Sequence, residues 1–384
     1  MKVKEAIEQI ASCTNCSACL EVCQTYEATQ KDVFGPIHRL YTARKVFQDE
    51  EVNSEEIDGI YNCLKCGRCN VVCPMEITIA EIIRKAQVQL VNRQVGPLDN
   101  PNRVMAGIQK SDNAFNGDPA KKWDWLPGEF PATESDTLLY IGCSASFAYP
   151  QAASASYLLL KKLGVDFMLL KDESCCGYFH YYIGREDLAR EKFEQNVEKF
   201  KRRGIKRIIT LCAGCYHNFK NWYPALLGPV GFEVVHISQL LPALLKERSK
   251  DLNMDRREIT YHDPCGLGRL GDGIYREPRE ALRLCGVDLV ELGQNRQLGS
   301  CCGALLINNF KELAANISGN FLDKVKTPDI VTSCSFCLFG LNYGNRKMGK
   351  NKKIRYLSEV ILDSLEGSTP VIYPDTTQNH RTST

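Results

Sequence analysis

Apolar residues follow two different periods along the chain, and the change between them divides the sequence. In residues 5–13 and 77–93 apolar side chains recur three and four positions apart, which is the spacing of amphipathic helices. No segment before about residue 135 alternates between apolar and polar side chains as a half-buried strand does. We therefore predict that residues 1–95 form a small helical domain.

Residues 96–135 interrupt the helical pattern. They are rich in proline, glycine, asparagine and aspartate, which predicts a long connector that lies over the surface rather than folding alone. Trp123 and Trp125 in this connector could anchor a partner protein. We favour the simpler interpretation that they pack across the two repeats that follow.

From residue 136 onward, short apolar strands alternate with helices, which predicts α/β architecture. Six of these strand-like segments run into cysteines, and the first three recur 122 to 126 residues later as the second three. This spacing indicates an internal duplication, with one α/β domain at 136–256 and another at 257–365. The cysteines would lie just past the strand ends, where open α/β folds place their sites. Residues 366–384 have little to bury and predict a disordered tail.

Charge and length exclude several classes of function. The chain has 384 residues and a formal net charge of +2, so it lacks the basic excess of a nucleic-acid-binding protein. No stretch reaches the roughly 18 apolar residues of a membrane span, so membrane contact would come only through a partner. The N-terminus carries no export signal, and we expect a cytoplasmic protein.

The chain contains 19 cysteines, and these are the residues that best indicate its function. In a reducing compartment so many cysteines indicate metal ligands or redox groups rather than disulfides. Two quartets with the spacing C-x2-C-x2-C-x3-C lie in the helical domain: Cys13, Cys16, Cys19 and Cys23, then Cys63, Cys66, Cys69 and Cys73.

The quartet spacing is typical of two-cluster ferredoxins, in which the fourth cysteine binds the other cluster. Pro74 follows the second quartet as that pattern expects, whereas Gln24 follows the first. Zinc is the competing interpretation, but zinc sites usually come as two separated C-x2-C pairs. We interpret the quartets as ligands of two cubane [4Fe–4S] clusters that pass one electron at a time.

Ten further cysteines form two groups of five, each with an adjacent pair followed by glycine. They are Cys143, Cys175, Cys176, Cys212 and Cys215 in the first repeat, and Cys265, Cys301, Cys302, Cys334 and Cys337 in the second. Five thiolates exceed what one zinc ion or one cubane cluster takes. Gly177 and Gly303 would let the backbone turn closely around something bulky. Conventional cubane clusters or zinc at one motif stay open on this reasoning.

These two groups resemble the CCG cysteine-rich domains of heterodisulfide reductase and its relatives. The whole chain resembles the catalytic iron–sulfur subunit of that enzyme in its fused form, over residues 13–337. The resemblance implies an α-helical ferredoxin-like domain followed by two duplicated α/β CCG domains. It also implies that each group of five cysteines holds a noncubane [4Fe–4S] cluster. In that family the two clusters cleave the disulfide of coenzymes M and B by paired one-electron steps.

The same family contains subunits that only conduct electrons, in the oxidation of glycolate, lactate or glycerol-3-phosphate, between a flavoprotein and a quinone pool. Residues 261–269 resemble a segment common there, with Gly266 where a histidine often stands. In many such conductors one five-cysteine motif is degraded, whereas both are complete here. We therefore favour a disulfide reductase in a hetero-oligomeric complex, with a flavoprotein, cytochrome b or hydrogenase-type partner.

Several residues near the motifs carry weaker hypotheses. His180, His217 and His262 could tune a cluster or protonate a thiolate, although ordinary core or surface histidines are the favoured interpretation. Arg185 and Arg269 are candidates to bind an anionic disulfide.

Two other features favour structural roles. Cys285 lies on an apolar helix face and predicts a packed core thiol. The basic run at 345–353 favours a solvated face over a docking site for an acidic partner or lipid head groups. No G-x-G-x-x-G motif opens a helix after a strand, so any flavin would belong to another subunit.

Overall fold

The computed structural model describes residues 1–253 and 256–366, without the side chains of residues 100–103 and 366. Within residues 1–136 it contains helices and no strand, in agreement with the absence of an alternating pattern there. The first seven helices are α1 Val3–Ala11, α2 Ala18–Glu21, α3 Gln24–Thr29, α4 Pro36–Phe47, α5 Ser54–Tyr61, α6 Arg68–Val72 and α7 Ile79–Asn92.

Local sequence signals explain how the longer of these helices begin. Asn53 caps α5, where its side chain accepts a hydrogen bond of 3.0 Å from the backbone of Glu56 and the Glu56 carboxylate accepts one from the backbone of Asn53. Pro36 occupies the first turn of α4, where its missing N–H costs nothing. The apolar faces of α4 and α7 pack together and form the core of this domain.

The connector at 96–135 contains more structure than its composition predicts. It includes helix α8 Asp99–Ser111 and a short 3₁₀ turn, Pro119–Lys121. Met105 and Ile108 of α8 are buried against residues of the first repeat, among them Phe179. Trp125 is also buried, in a core that both repeats share. The connector therefore packs onto the repeats rather than forming a core of its own.

Two parallel sheets form the rest of the protein. The strands are β1 Thr137–Tyr140, β2 Arg207–Thr210, β3 Glu233–His236, β4 Arg257–His262, β5 Val287–Leu289, β6 Asp329–Thr332 and β7 Lys353–Tyr356. The first sheet has the order β1-β2-β3 and the second β5-β4-β6-β7. The helices are α9 Pro150–Lys162, α10 Tyr178–Tyr182, α11 Glu186–Arg202, α12 Ala213–His217, α13 Tyr223–Leu227, α14 Ile237–Glu247, α15 Arg276–Leu284, α16 Lys311–Lys324, α17 Ser335–Lys347 and α18 Leu357–Glu366.

The two sheets have equivalent topology, as the duplication predicts. In the first sheet β1 pairs with β2 and β2 with β3, and in the second β4 pairs with β6 and β6 with β7, all parallel. Next to β1, Met168 makes a single parallel bridge with Leu138, in the place that β5 takes beside β4. The predicted strand around Met168 is therefore reduced to one bridge, because the chain turns at Lys171 immediately afterwards.

The repeats pack against each other through buried contacts. Ser156 of α9 donates a hydrogen bond of 3.0 Å to Ser358 of α18, and the Tyr356 hydroxyl donates one of 2.8 Å to the carbonyl of Leu211. Among residues 1–253 and 256–366, no helix combines the length and the apolar character that crossing a membrane requires. Apart from residue 366, which ends α18, the predicted tail lies outside the described residues.

Candidate metal centres

The two cysteine quartets of the helical domain line two neighbouring cavities, and each quartet contributes to both. We call them the outer cavity and the inner cavity. The cysteines lining the outer cavity are Cys13, Cys16, Cys19 and Cys73. Those lining the inner cavity are Cys23, Cys63, Cys66 and Cys69. The fourth cysteine of each motif therefore crosses to the cavity of the other motif, which is the exchange that the ferredoxin spacing predicts.

The loops that carry the first three cysteines of each quartet have the same backbone shape. Asn15 and Ser17 in the first loop adopt left-handed conformations, and so do Lys65 and Gly67 at the matching positions of the second. Such residues curl the backbone around a central object and turn its N–H groups inward. In the second loop the Lys65 N–H donates to the Cys63 sulfur over 3.4 Å. An all-thiol donor set on two wrapped loops fits [4Fe–4S] clusters.

The outer cavity lies at the protein surface. Cys16 is exposed, and apart from cysteines, Thr14 and Ser17 the cavity wall is apolar, formed by side chains such as Leu40 and Ile79. Met75 also lines it and is 44% exposed. A group bound here would be within reach of another protein.

The inner cavity is buried and lined by cations. Arg39, Lys65 and Arg68 all line it and are all buried. Arg39 donates to the carbonyl of Gly59 over 2.7 Å and approaches the Cys23 sulfur at 3.6 Å. Burial opposes its charge, but the thiols of Cys63 and Cys23 raise the pKa of Arg39 above its ordinary value.

Lys65 is the second unusual cation of the inner cavity. Its ammonium group lies 3.5 Å from the centre of the Tyr182 ring and donates to Gln87 over 2.9 Å. Burial lowers the pKa of Lys65 to about 7. Negatively charged thiolate-bound clusters would stabilise all three cations, so this lining fits the same donor set.

Six of the ten repeat cysteines lie just past the carboxyl ends of strands, as predicted: Cys143, Cys212, Cys215, Cys265, Cys334 and Cys337. The adjacent pairs do not, because Cys301 comes twelve residues after the end of β5 and Cys175 follows only the single bridge at Met168. Cys212 and Cys334 each lie two residues beyond the end of β2 and β6, and their C-x2-C partners lie in the first turns of α12 and α17. Gly177 and Gly303, after the adjacent pairs, have φ of +77° and +75°, so both pairs are followed by the left-handed turn that only glycine adopts without strain.

The two groups of five meet where the repeats face each other. The sulfurs of Cys212 and Cys334, which are equivalent positions, lie 3.8 Å apart. Ser144 and Ser335, each directly after a cysteine, are hydrogen bonded across the same boundary. The duplication therefore brings one cysteine of each group to the same buried place at the boundary between the repeats.

The adjacent pairs have matching electrostatics in the two repeats. Hydrogen bonds from Cys175 and Cys215 lower the pKa of Cys176 to about 5. Hydrogen bonds from Cys301 and Cys337 lower the pKa of Cys302, also to about 5. The thiolate is the form of cysteine that binds metals, so in each repeat the second cysteine of the adjacent pair is biased toward the ligand form.

Two residues at the boundary between the repeats were not predicted from the sequence. His236 and Tyr356 end the equivalent strands β3 and β7, and both are completely buried. Burial lowers the pKa of His236 to about 4, so this imidazole is neutral beside the thiol of Cys212. Neither strand is followed by a cysteine, so no sequence signal pointed to them.

The three histidines singled out from the sequence are all buried. His262 bonds to Thr332 and to the carbonyl of Ser300, and His217 bonds to Asn221. Burial lowers the pKa of His180 to about 4, and its Nδ1 has no hydrogen-bond partner.

The two arginine candidates have partners within the protein. Arg185 pairs with Asp187 at the start of α11. Arg269 donates to the carbonyl of Cys66 over 2.8 Å and to that of Gly299 over 2.7 Å. Arg269 therefore connects the helical domain to the second repeat, so fewer of its N–H donors are available to an anionic substrate.

The two features predicted to be structural also have simple surroundings. Cys285 is 1% exposed and lies within the core shared by the repeats. In the basic run, Lys350 pairs with Asp323 at 2.6 Å, and Lys352 donates to the carbonyls of Val325 and Thr327.

Comparison with known proteins agrees with this arrangement. Residues 137–220 and 259–342 each match the model of a cysteine-rich domain named CCG, and residues 9–77 match that of a 4Fe-4S dicluster domain. The chain is 30% identical over 389 residues to a subunit of the dihydromethanophenazine:CoB–CoM heterodisulfide reductase of Methanosarcina mazei, covering 93% of this chain and 94% of that protein. It is also 30% identical over 390 residues to the corresponding subunit from Methanosarcina barkeri, covering 94% of this chain and 95% of that protein. A third relative is the EtfAB:quinone oxidoreductase of Syntrophomonas wolfei, 30% identical over 340 residues, which are 80% of this chain and 47% of that protein.

Proposed function

The chain belongs to the CCG-domain family of heterodisulfide reductase iron–sulfur subunits, and from this premise we propose that it reduces a disulfide to two thiols at its ten repeat cysteines. The family makes it an iron–sulfur oxidoreductase subunit. The observation that carries the finer proposal is the meeting of two complete five-cysteine motifs, with the sulfurs of Cys212 and Cys334 only 3.8 Å apart. Two equivalent redox sites at one location suit a reaction that takes two electrons and yields two equivalent products.

Within this proposal each set of cysteines has a separate task. The two quartets would hold cubane [4Fe–4S] clusters, and the two groups of five would hold noncubane [4Fe–4S] clusters. When bound, these clusters supply single electrons to the sulfurs of the disulfide. Cys143 and Cys265, which are equivalent, are half-buried, whereas the other eight cysteines of these groups are buried. Solvent thus reaches one cysteine in each repeat, as expected if the two sulfurs of one disulfide approach from the same side.

The first experiment is an anaerobic assay of reduced-viologen oxidation driven by the mixed disulfide of coenzymes M and B. Iron measured in the same sample should reach about 16 atoms per chain, for four clusters of four. Turnover at full iron loading would support the reductase. Full loading without turnover on this disulfide would contradict the proposed substrate, and iron near half that value would contradict the noncubane clusters.

A pair of cysteine variants places the reaction within the chain. Cys302→Ala should lose turnover and about four iron atoms, because it removes one ligand of the second repeat. Cys285→Ala is the matched control, since this thiol is equally buried but lies in the apolar core. It should keep its iron and its turnover, and iron loss from this variant would contradict the ligand assignment.

A second candidate function is electron transfer between a flavoprotein dehydrogenase and a quinone pool. The similarity to the EtfAB:quinone oxidoreductase of Syntrophomonas wolfei, over 80% of this chain, favours it. This function predicts oxidation of the reduced chain by a soluble quinone and no turnover with any disulfide. In either case we propose that the protein works in a hetero-oligomeric complex, since its relative from Methanosarcina mazei is named as a subunit. A flavoprotein, a cytochrome b or a hydrogenase-type protein is the partner we expect.

A further inference from the structure

Gln24 forms an unusual contact between the helical domain and the second repeat. Its side-chain carbonyl accepts a hydrogen bond of 2.7 Å from the N–H of Cys301, and its side-chain amide donates one of 3.2 Å to the carbonyl of Cys301. Gln24 is 6% exposed, and Cys301 is 3% exposed. Gln24 directly follows Cys23, at the position where the second quartet has Pro74. The departure from the ferredoxin pattern therefore coincides with a two-bond clamp on a cysteine of the other domain.

This clamp joins a cysteine of the inner cavity to a cysteine of the second repeat by a short route. From the Cys23 sulfur the route follows the covalent bonds of Cys23 and Gln24, crosses one hydrogen bond and ends on Cys301. Arg269 strengthens the same junction by donating to the carbonyls of Cys66 and Gly299.

The first repeat has a less direct connection to the inner cavity. Tyr182 donates a hydrogen bond of 3.0 Å to the carbonyl of Cys63. Tyr182 lies six residues beyond Cys176, so a route through this contact crosses the whole tyrosine side chain and most of α10. Electron transfer falls steeply with the length of the route, so the two repeats should not receive electrons equally.

We propose that Gln24 is the positioning residue that couples the inner cavity to the second repeat, so that electrons reach the second repeat before the first. The cysteines of the inner cavity would hold the cluster that gives up one electron in each step, and those of the second repeat would hold the cluster that gains it. The electron then continues to the first repeat, where Cys334 faces Cys212 across 3.8 Å. An external one-electron reductant restores the inner cluster through the outer one. This inference rests on the proposed clusters, but not on a disulfide as the final acceptor.

The test follows the reduction of iron-loaded protein by rapid freeze-quench EPR after mixing with dithionite, with no disulfide present. Gln24→Met keeps the length of the side chain and removes both hydrogen bonds, and Gln24→Asn keeps the amide but shortens its reach. Both should slow electron arrival at the five-cysteine sites several-fold, because the hydrogen-bonded step between Gln24 and Cys301 is lost. Reduction of the quartet clusters, iron content and midpoint potentials should stay at their original values.

Two control variants separate this role from general damage to the interface. Glu27→Gln breaks the 3.2 Å ion pair with Lys324, which joins the same helix α3 to the second repeat. Tyr182→Phe removes the hydroxyl that contacts Cys63. Neither should slow electron arrival. Unchanged rates in both Gln24 variants, or equal slowing by Tyr182→Phe, would overturn the inference. Because this experiment uses no disulfide, its outcome does not depend on whether the protein has the proposed reductase activity.

Discussion

Replacing Arg39 by glutamine is expected to lower the reduction potential of the cluster proposed for the inner cavity. Arg39 is 2% exposed, and its guanidinium lies 3.6 Å from the Cys23 sulfur. At about 4 Å and an effective dielectric constant of about 20, two unit charges interact by about 4 kcal/mol. An added electron is shared among four thiolates and the cluster, so roughly a quarter to a half of that energy, about 1–2 kcal/mol, favours reduction. For a one-electron couple this corresponds to roughly 40–90 mV.

The assay is an anaerobic redox titration monitored by EPR on iron-loaded protein. Arg39→Lys keeps the positive charge and should recover most of the potential. Arg84→Gln is the matched control, because Arg84 is also buried but is paired at 2.7 Å with both Glu81 and Glu186. It should destabilise the domain without shifting the potential. A potential for Arg39→Gln within about 20 mV of the original, or an equal shift from Arg84→Gln, would refute the electrostatic reasoning.

Two further predictions concern the ligands and the turns around them. The crossed cavities predict that Cys73→Ala combined with Cys16→Ala loses no more iron than either change alone, about four atoms, whereas Cys73→Ala with Cys66→Ala loses about eight. Iron analysis of the two double variants checks this, and equal losses would contradict the crossing. Gly303 has a φ of +75°, and an added Cβ would lie 3.0 Å from a backbone oxygen, whereas Gly164 has a φ of +72° and open space around it. Gly303→Ala should therefore cost roughly 2–3 kcal/mol and Gly164→Ala about 1 kcal/mol, measured by thermal unfolding; equal costs would show that packing around the turn is unimportant.

The cysteine groups could be predicted because their signals are local or repeated. Three cysteines at two-residue gaps can wrap one object wherever the loop lies, and the equal offsets between Cys143, Cys212 and their counterparts identify the duplication. Strands were harder to predict. β3 and β7 are four residues long, no cysteine follows either of them, and in β7 only Ile354 and Tyr356 are apolar enough to mark a strand.

The residues that join the domains could not be predicted, for a physical reason. The contact between Gln24 and Cys301 spans 277 positions, and that between Arg269 and Cys66 spans 203. Each of these contacts depends on how whole domains pack against each other, and the spacing of apolar residues within one segment carries no information about that packing. For the contact between Gln24 and Cys301, the one local signal in the sequence was the absence of proline after Cys23. On its own, this signal indicated only an imperfect ferredoxin pattern. Arg269 was predicted to bind an anionic substrate because of its charge, but its guanidinium donates hydrogen bonds across the domain interface instead.

Exposure and charge together give the proposed electron route a direction. The outer cavity has an exposed cysteine, Cys16, and no Lys or Arg among its lining residues, so a partner can reach it but no lining cation would favour an added electron. The cations that line the inner cavity, Arg39 foremost, are buried and would stabilise the reduced state of a cluster bound there. Electrons delivered at the surface would thus collect inside, next to the clamp that Gln24 makes on the second repeat. Replacing these cations should therefore also slow electron transfer to the second repeat, because a smaller fraction of the inner clusters would be reduced at any time.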